Sequence, residues 1–156
     1  HTVGRTTPFE TRGYVALAGT FGYELDVTKI PEADRNMIPD QVAMYHKYND
    51  LVRQGDYYRI ARYADNHFYD CYAVVAKDKS EALVTYVQVL NRPNYHSRRI
   101  CIPGLDPEKT YVIENAADWQ EIRQTEYRGD ALHYAGINIP PISGDFKARL
   151  MHLRER

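Results

Sequence analysis

Only two cysteines, Cys71 and Cys101, occur among the 156 residues. Both lie in strand-like runs, which favours two buried thiols over a disulfide and predicts an intracellular, cytoplasmic setting. Serine is nearly as scarce. Ser80, Ser97 and Ser143 all fall in turn-like segments, and none has the strand–turn–helix context of a nucleophile elbow. There is no glycine-rich phosphate loop, no CxxC pair and no HExxH, which excludes the commonest nucleotide and zinc motifs. The six histidines are scattered at spacings that suggest no metal site, and they read as surface or strand-edge residues. No cofactor is expected. A net charge of −1 and a pI near 6.7 force no basic face on the protein, so nucleic acid is not an expected partner. No apolar run is long enough to span a bilayer and no signal peptide is visible, so no membrane partner is expected. The chain opens on His1 without an initiator methionine, which predicts a fragment or a processed product.

What is present is a chain of single-domain size with 44% hydrophobic residues, enough for a core. Its centre is a predicted hairpin from Cys71 to Leu90. The arms are 71–76 and 82–90, crowded with β-branched and aromatic residues, and the turn 77–81 carries no apolar side chain. The second arm sets Ala82, Val84, Tyr86 and Leu90 on one face and Leu83, Thr85, Val87 and Val89 on the other. Both faces are mostly apolar, so this strand is predicted to lie mid-sheet, covered on both sides.

The first third has a different period. Thr7, Pro8 and Glu10 have the spacing of a capping box that opens a helix. Phe21, Tyr23 and Leu25 alternate with Gly22 and Glu24, a short strand pattern. A long helix is predicted to begin between Met37 and Pro39. Its apolar stripe is Ile38, Val42, Tyr45, Tyr48 and Val52, and Gly55 stops it. Helix, strand and helix in that order look like the closing units of an α/β fold, which need neighbours to pair with.

From Asp56 the period becomes two. Strands are predicted at 57–61, 98–102, 111–114, 121–127 and 146–153. Asp130 is predicted to cap a helical turn, and Pro140-Pro141 an extended link. Carboxylates are plentiful, but most fall in turns, where capping explains them, and no acid pair for sugar hydrolysis stands out. Fourteen tyrosines and Trp119 suit sugar stacking in principle. Filling a β core and its edges explains them better.

Several ordered stretches carry a family resemblance. Val3 to Gly13, beginning Val-Gly-Arg-Thr-Thr-Pro-Phe-Glu, and Gly19-Thr-Phe-Gly-Tyr-Glu-Leu-Asp26 resemble the end of the catalytic barrel of bacterial α-galactosidases of glycoside hydrolase family thirty-six. Gly55-Asp-Tyr-Tyr-Arg59, Val89-Leu-Asn-Arg-Pro93, Gly104-Leu-Asp-Pro107, Tyr127-Arg-Gly-Asp-Ala-Leu132 and Gly144-Asp-Phe146 resemble that family's C-terminal β-domain. The resemblance covers nearly the whole chain. It implies a mainly β fold: residues 1–55 as the last strand and helices of an incomplete (β/α)8 barrel, and 56–156 as an antiparallel β-sandwich. It also implies a retaining α-galactosidase as parent protein, acting on terminal α-galactosides such as melibiose or raffinose through two aspartates. The Lys-Trp-Asp signature around the family's nucleophile is absent, so no catalytic residue is assigned in this chain and the chain alone is expected to be inactive. His1, Arg5 and Asp26 would lie at the barrel rim, where substrate sites are built. They are the candidate substrate-binding residues, with rim packing as the alternative role. The implied partners are the upstream barrel, a galactoside in the full-length enzyme, and further subunits of a homo-oligomer. The competing reading is a non-catalytic carbohydrate-binding or interaction module, which would show exposed aromatics in a concave row.

Overall fold

A computed structural model describes residues 4–115, 122 and 124–156. Two α-helical segments come first: α1 (Phe9–Ala16), then the short α2 (Glu32–Asn36) leading into α3 (Ile38–Gln54). The strands follow as β1 (Asp56–Ala61), β2 (Tyr69–Val75), β3 (Glu81–Gln88), β4 (Arg98–Ile100), β5 (Thr110–Ile113), β6 (Glu126–Arg128), β7 (Ile137–Ile139) and β8 (Lys147–Glu155). A helical turn α4 (Tyr63–Asn66) joins β1 to β2, and α5 (Gly129–Tyr134) joins β6 to β7. One antiparallel sheet has the order β1-β2-β3-β8-β5-β6, and β4 pairs with β7 in a second.

The predicted hairpin is β2–β3, with Ala73 opposite Val84 and Val75 opposite Ala82. Its charged turn is closed by Lys79 N–H on the Ala76 carbonyl and by Asp78, whose Oδ1 accepts from the Ser80 amide and hydroxyl. β8 occupies the other edge of β3, so β3 is the central strand its two apolar faces require. Between the two sheets lies the main core, which includes Ala73, Val84, Tyr86, Ile102, Ile139 and Leu153. The opposite face of the large sheet carries Val74, Leu83 and Leu150. These pack on Leu17, Tyr48 and Leu51 of the helical segment. The fold is a mainly antiparallel sandwich with its outer face roofed by helices.

Several local expectations are corrected. No capping box forms: Pro8 stands at the N-cap of α1 without a side-chain bond, and Glu10 instead accepts from the Tyr14 hydroxyl at 3.2 Å. Residues 21–25 pair with no strand among the described residues. Their alternating rings stack on the helices, Phe21 on Tyr45 at 5.3 Å and Tyr23 on Phe9 at 6.0 Å. The buried stripe of α3 is Gln41, Tyr48 and Leu51, rotated from the expected one, because α3 lies beside α1 on the sheet: Tyr48 and Leu51 pack on Val74, Leu83 and Leu150, and Gln41 turns to the Phe9 carbonyl. Cys71 is buried as expected, but Cys101 is exposed just past the end of β4, where its Sγ lies 3.9 Å from the Tyr134 carbonyl. Leu90 is exposed beyond the end of β3, and Val87 is only half-buried. Phe146 takes a left-handed φ of 54° that ends the link before β8, so the last strand begins at Lys147. His152 is 3% exposed in β8, the reverse of a surface histidine. Residues Glu121 and Arg123 of the predicted strand 121–127, and Trp119, lie outside the described residues; β6 covers only 126–128.

Candidate functional site: the helix–sheet seam

Polar side chains of the fold concentrate where the helical segment meets the sheet. Gln41, on the first turns of α3, is 4% exposed. Its Nε2 donates to the Phe9 carbonyl at 3.0 Å and its Oε1 accepts from the Tyr23 hydroxyl at 2.8 Å. One amide thereby ties α1, the 20s loop and α3 together. Gly13 makes this possible, because a Cβ there would sit 2.5 Å from Gln41 Nε2. Thr11 links α1 to the sheet: its Oγ1 accepts from the Ala148 amide at 3.1 Å. A cleft of about 470 Å³ opens beside these contacts, lined by Glu10, Tyr14, Met37, Asp40, Met44 and Arg149 among others. Replacing Gln41 by Leu would remove both bonds that tie α1 and the 20s loop to α3, leaving the half-buried Tyr23 hydroxyl to find water. A loss of about 1.5–2 kcal/mol is expected, read as a lower urea midpoint with an unchanged slope.

The second node is ionic. His152 Nε2 lies 2.8 Å from Glu81 Oε2 on β3. Its Nδ1 lies 2.9 Å from Glu114 Oε2 beyond β5, an ion-pair contact without hydrogen-bond alignment. Arg154 Nη1 donates to Glu114 Oε1 at 3.0 Å, and Lys47 of α3 stands 3.9 Å from the same carboxylate. Tyr48 of α3 meets the imidazole edge-on, with centroids 5.0 Å apart. Burial pushes the Glu114 carboxyl up, but the Arg154 hydrogen bond and the charges of His152, Arg154 and Lys47 outweigh it, so its pKa falls below the usual carboxylate range.

This geometry binds structure together; it does not assemble a hydrolytic pair. The carboxylates of the ionic node are engaged with cations under a helix. Of the expected substrate-binding residues, Arg5 is exposed at the start of the described chain. Asp26 is exposed in a turn, where its Oδ1 accepts from the Thr28 amide and hydroxyl and its Oδ2 pairs with Lys29 at 3.2 Å. The Thr28 side-chain bond, then its backbone bond, hold the Asp26 carboxyl below its ordinary range. His1 lies outside the described residues. No group of three or more metal-ligating side chains occurs among the described residues. Burial drives the Cys71 thiol up to about 12, which makes it inert as a nucleophile. Sequence reasoning missed Gln41, His152 and Gln88, whose buried Nε2 donates to the Ile142 and Gly144 carbonyls at 2.7 Å. Each had the same signal: a polar side chain in register with an apolar face.

The described residues form a β-sandwich roofed by helices, tied to it by the Thr11 bond to the Ala148 amide and the contact of Tyr48 with His152. Residues 69–153 match the Glycosyl hydrolase family 36 C-terminal domain, and residues 1–55 match Melibiase. The chain belongs to glycosyl hydrolase family 36. It is 38% identical over 155 residues to the α-galactosidase AgaA of Geobacillus stearothermophilus, covering 99% of this chain and 20% of that protein. It is 33% identical over 151 residues to the bifunctional α-galactosidase/sucrose kinase AgaSK of Mediterraneibacter gnavus, covering 95% and 15%. The crystal structure of an AgaA variant in complex with 1-deoxygalactonojirimycin superposes with a TM-score of 0.89 at 37% identity, over the whole of this chain and 20% of that one. The galactosidase domain of AgaSK gives 0.88 at 31% identity, over the whole of this chain and 21% of that one. The chain spans about a fifth of the length of the relatives it matches. No described helix is long and apolar enough to cross a membrane.

Proposed function

We propose that this chain is the C-terminal part of a cytoplasmic, retaining α-galactosidase that hydrolyses terminal α-galactosyl residues of oligosaccharides. The observation that carries the reading is continuity. A segment matching the Melibiase family and one matching the C-terminal domain share a buried seam, where Thr11 Oγ1 accepts from the Ala148 amide and Tyr48 packs against His152. A relative's variant structure in complex with raffinose supports the substrate class. On this reading residues 1–55 belong to the catalytic barrel and 56–156 form the sandwich. The reacting aspartates come from upstream sequence, and the sandwich braces the barrel's last helices through the seam. Arg5 and Asp26 belong to the barrel rim, with Asp26 shaping its own turn. Association into a homo-oligomer is part of the same proposal.

The test is a pair of assays on an aryl α-galactoside and on raffinose. A longer gene product that includes upstream sequence is expected to turn over both. The 156-residue chain is expected to show no hydrolysis above a buffer blank, since loss of the nucleophile removes several orders of magnitude in rate. Turnover by the short chain, or none by a folded longer product, refutes the assignment.

A further inference from the structure

Residues 20–25 have the alternation of a strand, yet they make no backbone hydrogen bond among the described residues. Their one hydrogen bond there runs from the Tyr23 hydroxyl to Gln41 Oε1 at 2.8 Å. Burial pushes the Tyr23 phenol above its ordinary range, so it stays a donor. The same amide donates to the Phe9 carbonyl at 3.0 Å. Phe9 has two further holds. Its ring lies parallel to that of Tyr23, with 9° between the planes and 6.0 Å between the centroids, and Arg12 Cζ sits 4.9 Å over it. Arg12 in turn pairs with Asp34 of α2 at 3.8 Å. Gly13 leaves no slack, since a Cβ there would meet Gln41 Nε2 at 2.5 Å. Two stretches are therefore fixed to one side chain. One leads from Arg5 to Phe9 and the other from Tyr23 to Asp26.

We propose that Gln41 is a positioning residue for galactoside binding, holding the stretch that carries Arg5 at a set distance from the stretch that carries Asp26. This role rests on the α-galactosidase reading and on the placement of both residues at the barrel rim. Gln41 is 4% exposed, out of a substrate's reach, and acts through the Phe9 backbone and the Tyr23 side chain. An aliphatic side chain would fill the same volume, but apolar packing has no direction. An amide with both its groups engaged is satisfied in one geometry, which is what a buried polar group adds to a packed seam. Pairing with an upstream strand would set the register of residues 20–25 along a sheet and leave their distance from α1 to Gln41. Rim contacts that hold substrate and transition state alike show in KM and not in kcat.

Steady-state kinetics of the longer gene product on raffinose and on an aryl α-galactoside test the role. Gln41→Leu should raise KM about tenfold, with kcat within about twofold of the parent. Tyr23→Phe keeps the ring stack and removes one bond, and it should raise KM about threefold. His152→Leu is the reference. It weakens the same seam by a similar amount and contacts neither stretch, so its KM should equal the parent's. If Gln41→Leu fails to fold, the difference in KM between Tyr23→Phe and His152→Leu still decides. Parent-like KM values in Gln41→Leu and Tyr23→Phe, or an equal rise in His152→Leu, overturn the positioning role while the parent's turnover upholds the α-galactosidase reading. A folded parent that hydrolyses neither substrate overturns that reading, and the positioning role with it.

Discussion

Val84→Asp should strip the chain of a large share of its stability at 25 °C and bring its urea midpoint far below the parent's. Val84 is 1% exposed at the middle of β3, paired with Ala73 on β2 and Met151 on β8, with its side chain in the core between the sheets. An aspartate there has no cation to meet among the core residues. It stays charged at a large desolvation cost or takes up a proton at a smaller one, and in both cases the valine methyls are lost. The sum is about 4 kcal/mol or more, a large share of the roughly 5–15 kcal/mol that stabilises a domain. Val87→Asp is the informative comparison. Val87 sits on the opposite face of the same strand, half-buried, opposite Ala148, whose amide bonds Thr11 of α1. Its carboxylate would reach water but face Asp70 directly across the ladder, so a loss of about 1–2 kcal/mol is expected. Urea melts of both variants check the ranking. Equal midpoints would show that the two faces of β3 are not differently covered.

His152→Leu should cost about 2 kcal/mol. The leucine fills much of the ring's volume, so the loss reports polar contacts more than cavity. Without the imidazole, Glu81 loses its 2.8 Å hydrogen-bond partner and converges with Glu114 on an apolar side chain. Glu81 and Glu114 are about a third exposed, so water takes up part of the loss. Adding Glu81→Gln should recover part of the loss, and a double-mutant cycle measures the coupling. The pH dependence has a definite sign. Because the folded Glu114 carboxyl titrates below its ordinary range, its contribution is complete above that range and is lost as pH falls through the lowered folded value. Glu114→Gln should therefore flatten the acid limb of the stability curve and leave the neutral region parallel to the parent. An unchanged acid limb would remove Glu114 from the ionic node.

The sequence by itself determined most of the strands from Asp56 onward and their order, though not α4 (Tyr63–Asn66) or β7 (Ile137–Ile139). Period-two runs of β-branched and aromatic residues report strands directly, because alternate side chains face opposite ways whatever the partner strand is. It likewise placed β3 at the middle of a sheet, since both of its faces are apolar, and α3 up to the stop at Gly55. The family was legible in ordered short stretches such as Gly104-Leu-Asp-Pro107. Tertiary structure decided the rest. Phe21, Tyr23 and Leu25 have a strand's alternation, yet a strand exists only where a neighbour offers its backbone, and here the rings stack on helices instead. Gln41 and His152 look like interruptions of apolar faces. Only the approach of α1 to α3, and of Glu81 and Glu114 to one imidazole, shows that these polar groups are satisfied across residues 32, 71 and 38 positions apart in the chain. Hydrogen bonds and ion pairs depend on atoms meeting within about 3 Å, a condition that a one-dimensional pattern does not contain and that the packed seam supplies.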